Sequence, residues 1–206
     1  TAGGAGDGVI NASWTGTESA GFRVKAGNGD DVLSGTFQSV SALSGASTGQ
    51  SGLVFRGNKG ADVINLDVIG TAAEVNVKGN SGADTIFVSA ASDINDITIA
   101  GGKDADVISA VMANAGSAIG LSVQGNDGDD IVGANFSGNF LSSFTLGGGD
   151  GNDTLTFFNS GAALAAGSAN SILGGTGADT ITITLGSNAS ATGASGFVAD
   201  LGVAGV

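Results

Sequence analysis

Seven aspartates set the chemistry open to this chain: Asp31, Asp62, Asp84, Asp106, Asp130, Asp153 and Asp179. Each is the sixth residue of a recurring string. The copies read AGNGDDVL at 26–33, GNKGADVI at 57–64, GNSGADTI at 79–86 and GGKDADVI at 101–108. They continue as GNDGDDIV at 125–132, GGDGNDTL at 148–155 and GGTGADTI at 174–181. An eighth copy, GGAGDGVI at 3–10, carries Gly8 in the sixth place. The aspartates are separated by 31, 22, 22, 24, 23 and 26 residues, which is too regular for chance. If equivalent turns stack, the carboxylates lie about 5 Å apart, and at an effective dielectric near 20 each neighbouring pair repels by about 3 kcal/mol.

Three things could offset that repulsion. The first is a divalent cation, and calcium suits mixed carboxylate and carbonyl oxygens in flexible geometry. The second is the chain's own cations. Lys25, Arg56 and Lys78 immediately precede turns, and Lys59 and Lys103 lie within them. The third is hydrogen bonding from each aspartate's own turn amides. In the second half the positions before the turns are Gln124, Gly147 and Leu173, while Asp127, Asp129 and Asp150 add further acid. Calcium is therefore expected first at the loops around Asp130, Asp153 and Asp179.

The elements that must position these turns follow from a period of two. Two places before each copy stand Val24, Phe55, Val77, Ile99, Val123, Leu146 and Ile172. Four places before stand Phe22, Leu53, Val75, Ile97, Leu121 and Phe144, with Asn170 breaking the column. The eighth place holds Leu33, Ile64, Ile86, Ile108, Val132, Leu155 and Ile181. Apolar residues at alternate positions mean strands with one buried face. Each repeat reads as strand, glycine–aspartate turn, strand and a second, variable turn. A single unit cannot bury its apolar face, but stacked units can. The expected fold is all-β: a right-handed parallel β-solenoid, β-roll-like, with two strands per coil and about eight coils. At about 4.8 Å per strand this is a rod roughly 40 Å long, with the acids along one rim.

The strings resemble the RTX, or hemolysin-type, calcium-binding repeat, G-G-x-G-x-D-x-U-x with U a large apolar residue. The resemblance covers most of residues 3–183 and implies calcium bound between successive loops by carbonyls and the sixth-place aspartates. Carried over, the ligands are the seven aspartates named above. The chain departs from the family in its longer coils, mostly 22–26 residues, with the motif on one edge only. It also has Asn58, Asn80 and Asn126 at the second glycine and Asp104 at the fourth place. Asparagine tolerates left-handed backbone angles, so its substitution is mild, whereas Asp104 is less comfortable.

Composition narrows the function. The net charge of -13, from 19 acidic and 6 basic residues, disfavours nucleic acid and anionic lipid as partners. No apolar run is long enough for a membrane helix. The chain has no histidine, cysteine or tyrosine, which removes most general bases and activated nucleophiles, and the Gly-rich strings precede strands and not helices. A non-catalytic role is expected.

Residues 1–185 read as the repeat solenoid, and 186–206 as a Gly/Ala/Ser-rich cap or linker to the rest of a larger chain. The long second turn at 34–52 is a tolerated insertion or a binding loop. The seventh-place residues Val32, Val63, Thr85, Val107, Ile131, Thr154 and Thr180 form an outward β-branched row that could meet copies of the chain or adjoining domains. Together these features suggest a structural, calcium-stabilised segment of an extracellular, cell-surface (adhesin or surface-layer) or virion protein. The competing expectations are a calcium-dependent accessory module of a secreted enzyme and a glycan- or surface-binding module using the 34–52 loop.

Overall fold

The computed structural model describes residues 4–15, 21–38, 52–70, 72–91, 94–113, 119–137, 140–160, 163–164, 170–186 and 197–202. The chain runs β1 (Val9–Trp14), β2 (Phe22–Lys25), β3 (Val32–Phe37), β4 (Leu53–Lys59), β5 (Val63–Val68) and β6 (Ala72–Ser81). Then come β7 (Thr85–Ala90), β8 (Ile94–Lys103), β9 (Val107–Met112), β10 (Ile119–Asp127), β11 (Ile131–Phe136) and β12 (Phe140–Asp150). The last are β13 (Thr154–Asn159), β14 (Ala163–Leu164), β15 (Asn170–Thr176), β16 (Thr180–Leu185) and β17 (Phe197–Asp200).

These strands form two sheets. One is ordered β1-β3-β5-β7-β9-β11-β13-β16 and the other β17-β15-β12-β10-β8-β6-β4-β2. Apart from the two-residue β14, which pairs with β12 beside β15, successive strands alternate between the sheets, and the pairings within each sheet are parallel. The chain is therefore a parallel β-solenoid with two strands per coil.

The register matches the repeat. Leu33, Ile64, Ile86, Ile108, Val132, Leu155 and Ile181 pair in sequence up the first sheet. All but Ile181 are buried, and Ile181 packs against the core at the end of the stack. Val24, Phe55, Val77, Ile99, Val123, Leu146 and Ile172 stack likewise in the second sheet and are buried. Between the sheets, Phe136, Phe144 and Phe157 cluster, the last two stacked with ring centres 4.5 Å apart. A second cluster joins Phe22, Phe37 and Phe55. Gly35 is small because a Cβ there would lie 2.7 Å from the Phe37 ring and 2.8 Å from that of Phe55. Asn170 breaks the apolar column without leaving its oxygen idle, since Oδ1 accepts the Phe144 N–H at 3.1 Å. Trp14 packs partly buried against the end of the core.

From the copy at 57–64 onward each turn has two left-handed residues, at the second and fourth places, while the first two copies have one, at Gly6 and Gly29. Asn58, Asn80 and Asn126 fill the second place with φ of 89°, 88° and 85°. Asp104 fills the fourth with φ of 76°, where other coils use glycine. These are the residues besides glycine that adopt such angles most readily. Asp104 gains a local partner, because Oδ2 accepts the Gly82 N–H of the preceding coil at 3.1 Å.

Of the long turn read at 34–52, residues 34–37 belong to β3, and 39–51 lie outside the described residues. At the other end, β17 pairs with β15, so the second sheet continues into the stretch read as cap or linker.

Candidate functional site

The glycine–aspartate turns join the second sheet to the first, so parallel register stacks the sixth-place residues. The structure brings all seven aspartates into one ladder. The Oδ1 of Asp31 accepts the Gly8 N–H at 2.7 Å. Asp62 Oδ1 then accepts from Asp31 N–H, Asp84 from Asp62 and Asp106 from Asp84, each at 2.8 Å. Asp130 accepts from Asp106 at 2.7 Å, Asp153 from Asp130 at 2.8 Å and Asp179 from Asp153 at 2.8 Å. Every aspartate therefore bonds the amide of its counterpart in the preceding coil. Hydrogen bonding within one turn occurs at Asp31, where Oδ2 accepts the Gly27 N–H at 3.2 Å.

These side chains do not form an exposed acidic rim. Asp31, Asp62, Asp84, Asp106, Asp130 and Asp153 are buried, five of them at 1% exposure, and Asp179 is partly buried. Parity explains it. The sixth place has the same parity as the inward eighth place, so the aspartate faces the interior of its turn. The exposed acids belong to neighbouring places, and some form a second, interrupted ladder. Asp7 accepts from the Asp30 N–H, Asp30 from Ala61, Asp129 from Asn152 and the Asn152 side chain from Ala178.

The second carboxylate oxygen decides what the site can do. Oδ2 of Asp62, Asp84, Asp106, Asp130, Asp153 and Asp179 is buried without a hydrogen-bond partner. Leaving a buried charged acceptor unpaired is costly, so each calls for a proton, a cation or an ordered water. Each Oδ2 sits over the first-place glycine of its own turn. A Cβ on Gly57, Gly79, Gly101, Gly125, Gly148 or Gly174 would collide with it. Carbonyl oxygens border the same positions: such a Cβ on Gly57 would lie 2.9 Å from Gly79 O, and one on Gly125 would lie 2.6 Å from Gly148 O. In these six turns the first glycine is thus a steric requirement of the aspartate as placed, whereas the copy at 26–33 has Ala26 there and its Asp31 turns Oδ2 to the Gly27 N–H.

The electrostatics agree. Burial pushes the Asp84 and Asp106 carboxyls up to about 7, and Asp62 and Asp130 up to about 6. Asp153 is raised for the same reason. In each case the bond from the preceding coil's aspartate amide opposes the shift, and neighbouring acids add to it. The acids that act on Asp62 are Asp31 and Asp30, and those on Asp84 are Asp62 and Asp104. Lys25, Arg56 and Lys78 stand on the outward side of their strands, opposite in parity to the buried Val24, Phe55 and Val77.

The donor set is oxygen only: one carboxylate oxygen per turn with main-chain carbonyls beside it. Among the described residues no three His, Cys, Asp or Glu side chains converge as a metal centre. A cation here would take most of its ligands from the backbone. That composition fits a hard, flexible ion such as calcium better than zinc or copper.

Fold and site together define a β-solenoid with an internal aspartate ladder. No family model matches the chain, and neither a curated protein nor a solved structure is found similar to it.

Proposed function

We propose that the chain is a structural, non-catalytic segment of a larger extracellular, cell-surface or virion protein, of the RTX-like kind found in adhesins and surface layers, stiffened by calcium at the aspartate ladder. The observation that carries this reading is the set of buried, unpartnered Oδ2 oxygens, repeated coil after coil. Asp31, Asp62, Asp84, Asp106, Asp130, Asp153 and Asp179 would each supply one carboxylate oxygen. Calcium would supply the positive charge that burial otherwise demands of a proton. A rod made this way is loose where calcium is scarce and rigid where it is plentiful. The alternative of an accessory module in a secreted enzyme shares the same calcium chemistry.

Contacts with copies of the chain or adjoining domains are proposed for the outer face of the first sheet. There Val9, Val32, Val63, Val107 and Ile131 are exposed in one register row. No helix of the described residues is long and apolar enough to cross a membrane.

Counting calcium on the purified protein by titration calorimetry tests the proposal, and a chain that binds none refutes it. The extra acids Asp127, Asp129 and Asp150 favour the C-terminal half. A site filled at a hundredfold excess over its dissociation constant stabilises by about 2.7 kcal/mol. Asp153→Asn should therefore shrink the calcium-dependent rise in melting temperature by about 5–10 °C. Asp62→Asn, flanked by Arg56 and Lys59, should shrink it much less. The reverse order would refute the assignment of sites to the second half.

A further inference from the structure

We propose that the outer face of the nine-stranded sheet, at its N-terminal end, binds a linear acidic polysaccharide. All six cations of the chain fall between residues 23 and 103, within a protein of net charge -13. Parallel register lines up three of them: Lys25 pairs with Arg56, and Arg56 with Lys78. Arg23 shares their face, and Lys59 and Lys103 stand exposed at the adjoining turns, one strand either side of Ser81.

Strands lie about 4.8 Å apart, so the row puts like charges side by side, where cross-strand pairs destabilise a sheet. Nothing in the strand pattern demands this, since the same row continues as Ala100, Gln124 and Gly147. At the centre of the row, Arg56 Nε is buried and donates to nothing. On the neighbouring strand the Asn76 Oδ1 is buried and accepts nothing. An open groove bordered by Lys78, Asn80, Lys103 and Asn126 runs along the turn side of the row, and Asp127, in register with Lys103, marks its acidic far end. Two further acids, Glu74 and Asp96, lie side by side in register farther from the turns and bound the patch on that side.

A row of cations at this spacing matches a chain carrying one carboxylate or sulfate per sugar. Single-stranded nucleic acid fits less well, because such sites stack bases on aromatic side chains. The neighbouring outward positions hold Val54, Asn76, Thr98 and Ala100.

The test is binding of polygalacturonate and of dextran sulfate to the whole chain at low ionic strength, with a single-stranded oligonucleotide as comparison, in calcium and again in chelator. We expect a polysaccharide to bind in both, weakening with added salt, and Arg56→Gln/Lys78→Gln to lose about tenfold in affinity with a melting temperature no lower than the parent's. The relative affinity for the two polymers tells carboxylate from sulfate recognition. Glu74→Gln should bind at least as well as the parent and controls for general disturbance of the face. The proposal is overturned by binding of neither polymer, by binding indifferent to the double substitution, by preference for the oligonucleotide, or by binding lost in chelator while the fold persists, which would assign recognition to calcium bridging.

Discussion

Gly125→Ala is expected to destabilise the solenoid by about 3 kcal/mol or more, lowering the melting temperature by about 10 °C. The added Cβ would collide with Asp130 Oδ2 and lie 2.6 Å from the Gly148 carbonyl oxygen. Neither obstacle can move freely. The Asp130 carboxyl is held by the Asp106 amide at 2.7 Å, and the Gly148 carbonyl belongs to the backbone of the next coil. Relief requires either swinging the aspartate out of the turn or separating two coils. In a stacked repeat such damage weakens the interfaces on both sides. Gly133→Ala is the control. It lies on β11, and its added Cβ would have Ile108 O as nearest atom at 3.7 Å, an ordinary contact. It should be neutral or slightly stabilising, because alanine restricts the unfolded chain more than glycine does. Thermal unfolding followed by circular dichroism checks both, and equal effects would mean that the first-place glycines are not cradles for the aspartates.

Metal-free protein should become more stable as it is acidified from pH 8 to pH 5, contrary to the usual behaviour of carboxylate-rich proteins. The unfolded carboxyls titrate near 3.8, and the folded ones are raised to about 6 for Asp62 and Asp130 and about 7 for Asp84 and Asp106. Between about pH 4 and 7 the folded state therefore binds more protons than the unfolded state, so stability falls as pH rises through this window. Above it each ionised, buried carboxyl weighs against folding. Allowing for screening near the turn surface, each contributes on the order of 1 kcal/mol. The group of four should move the melting temperature by about 10 °C. Calcium reverses the order. It requires the ionised carboxylates, so its stabilisation should be full at pH 8 and fade toward pH 5 as protons compete. The variant Asp84→Asn/Asp106→Asn checks the assignment, because it should lose roughly half the metal-free slope. A metal-free melting temperature that falls steadily from pH 8 to pH 5 would contradict the raised carboxyls.

The stacking was legible in the chain because each structural column is also a sequence column. Leu33, Ile64 and Ile86 recur at the same place of the string, and that place fixes both register and burial. The left-handed turn positions were legible too, since Asn58 and Asp104 replace glycines where few other residues fit. The inward orientation of the aspartates could have been read from parity, as Asp31 lies two residues before Leu33. Against that signal stands the general tendency of carboxylates to lie at the surface, which these turns override. The identity of the donor to each aspartate was not legible, because the bond runs between coils from Asp31 N–H to Asp62 and not within one turn. The cation row, by contrast, was legible, because Lys25, Arg56 and Lys78 each stand one place before the string, and the register that stacks Val24, Phe55 and Val77 aligns them. The strand at Phe197–Asp200 lacks the repeat string altogether and is recognised only by its pairing with β15.

The most direct measurement is a high-resolution diffraction structure of the protein crystallised in calcium at pH 8, with anomalous scattering used to locate the ions. Calcium is expected 2.3–2.6 Å from the Oδ2 of Asp130, Asp153 and Asp179, completed by main-chain carbonyls. Crystals in which those oxygens bond lysine, arginine or water, with no ion beside them, would contradict it.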